Sequence, residues 1–300
     1  VNPPPFTVPT KAIQVALLQG NIAQGEKFEP GTGIADALQW YGANLAATSA
    51  PLVIAPETAI PVLPEQLPAS YWENLRQHAQ TQGRGLLFGV PLGSTATGYT
   101  NSVVAITGAA TTDGNWLSYR YDKHHLVPFG EYIPFGDVLY DFGISAFAAK
   151  AGMGYTAGHG AAVLDLGNAG KVLPLICYEA VFPQDLRAAP MRADWILQIT
   201  NDGWFGNLAG PYQHLAQARL RAIEQGLPLM RVANTGVTAA IDAKGRVLQS
   251  LPLNTVGFLD TDVPSALPPT LYARTGDLSA TMVTGLGLLM LAFVRRRKAH

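Results

Sequence analysis

This sequence predicts an α/β domain followed by one C-terminal membrane helix, on three observations. Short apolar runs alternate with segments whose apolar residues recur at helical spacing. Three strand-like runs end on reactive groups: Leu52–Pro56 leads to Glu57, Trp116–Tyr121 leads to Lys123, and Lys171–Ile176 delivers the sole cysteine, Cys177. Leu278–Val294 carries no charge and is followed at once by Arg295-Arg296-Arg297-Lys298. An apolar run of that length with a basic stop is a membrane-helix signature.

Taken in order, residues 1–10 are a proline-rich linker. Ala12–Leu18 reads as a first strand. Ile34, Leu38, Tyr41 and Leu45 fall on one face of a helix over about residues 33–48. The Leu52 strand follows. Ser70-x-x-Glu73 has the form of a capping box, and Gly83 is placed to end the helix it opens. Strands are expected at Leu86–Val90, Ser102–Thr107 and Trp116–Tyr121. The Phe129–Ala157 segment is rich in Gly, Phe and Tyr without a clean period, and unstructured segments of that length usually serve function. After the Cys177 strand come a strand at Trp195–Thr200, a helix over about 213–225 stopped by Gly226, and a strand at Leu229–Ala233. Val237–Asp242 and Arg246–Leu251 then flank a turn at Ala243-Lys244-Gly245 as a hairpin. Early alternation followed by a hairpin points to a mixed sheet.

Composition excludes several classes. Charged residues make up 14% of the chain, against roughly 25% in ordinary soluble domains. The formal charge of −1 gives no electrostatic footprint for nucleic acid. One cysteine forbids an internal disulfide and a cysteine-rich zinc site.

A lone cysteine is commonly a small buried hydrophobe. At a strand end, however, Cys177 lies where backbone N–H groups leave the sheet and can face an oxyanion. A thiol attacks as thiolate and needs a base or a cation beside it. Glu57 can take the proton, and Lys123 can stabilise the thiolate or the tetrahedral oxyanion. The adjacent His124 and His125 offer a rival Cys–His arrangement. Consecutive residues of an extended segment point to opposite faces, so at most one would reach the site. No histidine pair has helix-ligand spacing and no carboxylate cluster accompanies them, so no metal is expected.

In this order and setting, Pro56-Glu57, Lys123 and Cys177-Tyr178-Glu179 resemble the three signature regions of the nitrilase superfamily, the carbon–nitrogen hydrolases. Asn234-Thr235-Gly236 and the Asp242 hairpin resemble its C-terminal part. Longer words are similar to the bacterial apolipoprotein N-acyltransferases within it: Ala55-Pro56-Glu57-Thr58-Ala59-Ile60-Pro61, His125–Tyr132 and Asn201–Gly206, with the Gln213–Ala222 helix. The resemblance covers about residues 11–265 plus the tail. It implies a four-layer α-β-β-α sandwich over 11–265, a transmembrane helix at 278–294 and a basic cytoplasmic tail at 295–300. It also implies a bundle of N-terminal membrane helices that this sequence does not contain.

For chemistry, the resemblance implies Glu57 as general base, Cys177 as nucleophile and Lys123 as oxyanion stabiliser. Glu131, Tyr178, Glu179 and Asn101 would support them, without cofactor or metal. An acyl group would pass from a membrane phospholipid, through a Cys177 thioester, to the N-terminal amine of a diacylglyceryl apolipoprotein. The catalytic domain would lie on the periplasmic side of the bacterial inner membrane. Phe28, where similar proteins usually carry Trp, and Trp204-Phe205 would contact lipid or substrate. The aromatics Phe135, Tyr140, Phe142, Phe147 and Tyr155 either dip into the membrane or pack under a loop. Two other readings stand beside this one: a soluble amidase using the same triad with water, and a catalytically dead tethered binding domain.

Overall fold

The computed structural model describes residues 13–23, 25, 32–107, 117–134 and 154–298. The linker at 1–10, Phe28 and the aromatics from Phe135 to Phe147 lie outside these residues.

Twelve described strands form two six-stranded sheets. The first has the order β12-β1-β2-β3-β4-β5, with β1 (Ile13–Gln19), β2 (Leu52–Ile54) and β3 (Gly85–Ser94) parallel. β4 (Gly98–Ile106), β5 (Tyr119–Asp122) and β12 (Gly257–Val263) are antiparallel to their neighbours. The second has the order β11-β10-β9-β8-β7-β6. Here β7 (Lys171–Ile176), β8 (Trp195–Thr200) and β9 (Leu229–Ala233) run parallel. β6 (Leu164–Asp165), β10 (Thr238–Ile241) and β11 (Val247–Leu251) pair antiparallel.

The alternation of strand side chains assembles four layers. Val15, Leu17, Leu52, Ile54 and Leu87 face Val172, Ile176, Trp195, Leu197 and Ile199 across the inter-sheet core. Their neighbours Ala16, Leu18, Val53, Leu86 and Phe88 turn outward, in a cluster with residues of α1 (Thr32–Ala47) and α2 (Ala69–Gln82). On the far side, Leu173, Leu175 and Ile196 pack with Leu186 of α3 (Pro183–Ala188) and Ala218 and Ala222 of α4 (Gly210–Gln225). The expected α-β-β-α sandwich is this architecture.

Three local expectations change. Ser70 does not cap α2; the helix starts at Ala69 behind Pro68, and Glu73 pairs with Arg76 at 2.7 Å. Proline fixes the entry φ and needs no hydroxyl there. Gly83 does end the helix, with φ of 61°. The strand expected from Trp116 begins at Tyr119. Strand β12 had no assignment because its Asp260 and Asp262 interrupt the apolar pattern, yet it pairs with β1 along all seven of its residues. Thr48 donates to Asp260 at 2.7 Å, which satisfies one of these carboxylates.

After α5 (Leu271–Thr275), α6 runs from Leu278 to Lys298. It is long and apolar enough to cross a membrane, and none of its apolar stretch is buried against the domain.

Candidate active site

Three strand ends converge. β2 ends into Pro56-Glu57, β5 into Lys123 and β7 into Cys177, so the first sheet supplies the carboxylate and amine and the second the thiol. All three side chains are buried.

Glu57 is held from two directions. Its Oε1 accepts from Asn101 Nδ2 at 2.7 Å, and its Oε2 accepts from the backbone N–H of Asn201 at 2.8 Å. Thr58 after it adopts φ of 48°. Gly89 permits this turn, because a Cβ there would lie 2.3 Å from the Thr58 nitrogen.

Lys123 Nζ lies 3.6 Å from Glu57 Oε1 and 2.9 Å from Glu131. Its backbone N–H donates to the Asn101 carbonyl at 2.9 Å, so β4 positions the lysine through its main chain. Burial alone disfavours the ammonium. Glu57, the Cys177 sulfur when ionised and Glu131 outweigh that and hold it charged well above the usual lysine range. Glu131 also accepts from the Val127 N–H at 2.9 Å and from Asn101 Nδ2 at 3.2 Å. Asn101, within β4, therefore bridges both carboxylates.

Cys177 adopts φ of 50°, a left-handed conformation that costs a non-glycine residue about 1–3 kcal/mol. It opens a 3-10 turn, Cys177–Val181, that carries Tyr178 and Glu179. Burial pushes the thiol up to about 12, with the Glu57 charge adding to it and Lys123 opposing. The resting sulfur is thus a thiol beside a carboxylate.

Glu179 ties the cysteine turn to the lysine loop. It is fully buried and accepts from the N–H groups of Ile176 and His124, both at 2.7 Å, and from the Tyr121 hydroxyl at 2.9 Å. Tyr178 is half-buried, edge-on to Phe182 with ring centroids 5.0 Å apart.

The histidines correct the sequence argument. His124 and His125 do not point to opposite faces, because the chain bends at His125. Both rings approach Asp185 Oδ2, at 3.1 and 2.5 Å, and His124 Nδ1 also lies 2.8 Å from Glu179. The hydrogen bond to Glu179 raises the His124 pKa; burial opposes this and Asp185 reinforces it. Carboxylates do accompany these histidines, and sequence could not show it because Asp185 is 60 residues away from His125. Among the described residues His124, His125 and Asp185 are the one group with the spacing to hold a metal ion.

Trp204 and Phe205 are exposed, on the same post-β8 loop whose Asn201 holds Glu57. Tyr155 lies close enough to Glu131 and Glu57 that, after burial, their charges push its hydroxyl up to about 12. Asn201 falls in a stretch singled out by resemblance, but its backbone hold on Glu57 had no signal in the sequence.

Strand ends of two sheets thus bring together a buried thiol, carboxylate and ammonium on an α-β-β-α sandwich, the groups a thiol needs beside it to be activated for attack. The chain belongs to the carbon–nitrogen hydrolase family, whose model matches residues 14–268. Among its relatives, it is 45% identical over 263 residues to the apolipoprotein N-acyltransferase of Verminephrobacter eiseniae, covering 86% of this chain and 47% of that protein. With the enzyme of that name from Rhodopseudomonas palustris the identity is 40%, covering 95% and 54%. The chain thus spans about half the length of these relatives. In fold it is similar to an amidase from Nesterenkonia sp. AN1 solved with acrylamide, with a TM-score of 0.63, 19% identity and coverage of 92% and 99%. A carbon–nitrogen hydrolase superfamily protein from Xanthomonas campestris gives 0.61 at 22% identity, covering 85% and 91%.

Proposed function

We propose that this chain is the catalytic part of an apolipoprotein N-acyltransferase. It would move a fatty acyl group from a membrane phospholipid to the α-amino group of a diacylglyceryl-cysteine. The observation that carries the chemistry is the buried Lys123 ammonium 3.6 Å from Glu57, both close enough to the buried Cys177 thiol to act on its charge. Similarity to the acyltransferases over most of the chain and the bare apolar helix α6 support the membrane substrate.

Lys123 serves two carboxylates, so the local charge is negative before the thiol ionises. A standing thiolate is disfavoured, and Glu57 acts as general base during attack. Cys177 Sγ bonds to the ester carbonyl carbon while Glu57 takes the thiol proton. The oxyanion forms beside Lys123 and the Tyr178 backbone N–H. Collapse breaks the ester C–O bond, and the lysophospholipid oxygen leaves with the proton from Glu57. In the second half the acceptor amine attacks the thioester, Glu57 takes its proton, and the Cys177 sulfur leaves and is reprotonated. Water must be excluded from the thioester between the halves. The exposed Trp204 and Phe205 are suited to lie against lipid there.

With the domain on the periplasmic side, Arg295-Arg296-Arg297-Lys298 would face the cytoplasm by the positive-inside rule. The test is mass spectrometry of membrane-embedded protein given phosphatidylethanolamine and phosphatidylglycerol vesicles without acceptor amine. A fatty-acyl mass on Cys177, released by hydroxylamine and absent from Cys177→Ser, is expected. A reactive Cys177 that never acylates from phospholipid yet cleaves simple amides would overturn the reading in favour of an amidase.

A further inference from the structure

Beneath the site lies a second buried polar cluster that the acyl-transfer steps do not use. Gln198 on β8 and Arg231 on β9 are register partners. Both are buried, as are Asp202 and His214, at the side of the sheet that packs against α4. Arg231 donates to Gln198 Oε1 at 2.6 Å and to Asp202 Oδ2 at 2.5 Å. Asp202 Oδ1 lies 2.9 Å from His214 Nδ1, and a carboxylate only accepts, so Nδ1 carries a proton. Burial would raise the Asp202 pKa; Arg231 and His214 outweigh it and hold the carboxyl below its ordinary range.

The cluster ends on the nucleophile. With its oxygen committed to Arg231, Gln198 presents its amide N–H to the Cys177 carbonyl at 3.2 Å. With its proton on Nδ1, His214 presents Nε2 as an acceptor, and this atom lies 3.0 Å from Gln198 Nε2, whose second N–H it can take. A buried arginine and aspartate are costly to maintain against an apolar replacement. Here they fix one imidazole and one amide, and the amide, oriented by both Arg231 and His214, fixes one carbonyl.

We propose that Gln198, held by Arg231 and by His214 on Asp202, is a positioning residue that sets the oxyanion hole by clamping the Cys177 carbonyl. The physical link is the peptide plane. In a trans peptide the C=O and the following N–H point in opposite directions. The Cys177 side chain sits in the inter-sheet core, and its carbonyl is drawn toward Gln198 on the α4 side. The Tyr178 N–H is thereby turned toward the first sheet, from which Lys123 and Glu57 come. The clamp also holds Cys177 at its left-handed φ of 50°. Loosening it would let the peptide rotate and misalign the N–H without touching the thiol, its base or its cation.

The inference rests on Cys177 as nucleophile, though not on phospholipid as donor, so the probe is p-nitrophenyl acetate. Acylation of Cys177 is followed beside iodoacetamide alkylation, which needs the thiolate but builds no oxyanion. The variants are Gln198→Glu, isosteric but without the donor, and Gln198→Met. Thermal melting confirms that each is folded. Loss of a well-placed oxyanion donor costs about 10²–10³-fold, so acylation is expected to fall at least about 10-fold at unchanged KM. Alkylation should stay within about 2-fold of the parent protein if the thiol is untouched. Equal losses in both reactions would reduce the cluster to a structural role and overturn the inference, as would acylation at the parent rate. A parent protein that alkylates yet is never acylated would instead overturn the nucleophile assignment on which the inference depends.

Discussion

Lys123 Nζ is 2.9 Å from Glu131 and 3.6 Å from Glu57, so one buried ammonium faces two carboxylates, and the closer contact is not with the proposed base. That asymmetry gives the carboxylates different work. In the proposed mechanism Glu131 fixes the amine, while Glu57, held by Asn101 and the Asn201 N–H, serves as the base.

Replacing Glu57 by Gln should separate two reactivities. Acyl-adduct formation should fall by about 10²–10⁴-fold with the general base gone. The Glu57 charge helps to raise the Cys177 pKa, so its removal moves the pH profile of alkylation to lower pH. Parallel acylation and alkylation assays read both. Unchanged acylation would remove Glu57 from the mechanism.

The thiol itself should titrate late. With the Cys177 pKa pushed up to about 12, alkylation of the parent protein should climb about tenfold per pH unit from pH 7 to 10, without levelling at the free-cysteine value near ~8.5. A plateau below pH 8 would mean a preformed thiolate and would contradict the base-assisted step.

Glu179→Gln should disable by misplacement. The carboxylate receives only donors, from Ile176, His124 and Tyr121. An amide turns its own donor against some of them, at about 1–3 kcal/mol for each buried group left unpaired. A lower melting temperature is expected, together with slower acylation as the Cys177 turn and the Lys123 loop lose their tie. Full activity at parent stability would refute this.

Asp202→Asn leaves the buried Arg231 charge without its partner, a loss of about 3–5 kcal/mol. The Asp202 pKa is depressed in the folded protein, so its contribution is present above the unfolded carboxyl value of about 3.9 and fades as pH falls through the folded value. Denaturant unfolding at pH 7 should show the full deficit, and the gap to the parent protein should narrow below about pH 4.

The C-terminal helix gives a topological expectation. A tag after His300 should resist protease in right-side-out vesicles and be cleaved in inside-out ones. Introducing Leu286→Asp, on the bare surface of α6, should weaken membrane retention by about 2.5–3.5 kcal/mol of insertion energy.

Much of the site was legible because its chemistry sits at strand ends, where local pattern and chain order coincide. Glu57, Lys123 and Cys177 follow apolar runs, and the β8 and β9 bounds match their expected spans. Glycines 83 and 226 end helices where expected, because only a left-handed residue closes them cheaply. Other parts depended on contacts between distant segments. Asn101 was marked only by resemblance, and its place between two carboxylates comes from β4. His124 and His125 looked opposed until a bend turned both to Asp185.

The sequence by itself determined the α/β class and the apolar C-terminal helix and singled out three candidate reactive residues, because periodicity, residue chemistry and length are properties of contiguous chain. Only the tertiary structure decided the partners. Gln198 and Arg231 read as polar interruptions of buried strands, and their meaning comes from register, which aligns them beneath His214 and the Cys177 carbonyl. Hydrogen bonds of a few ångströms join residues tens to hundreds of positions apart, and no local pattern encodes that distance.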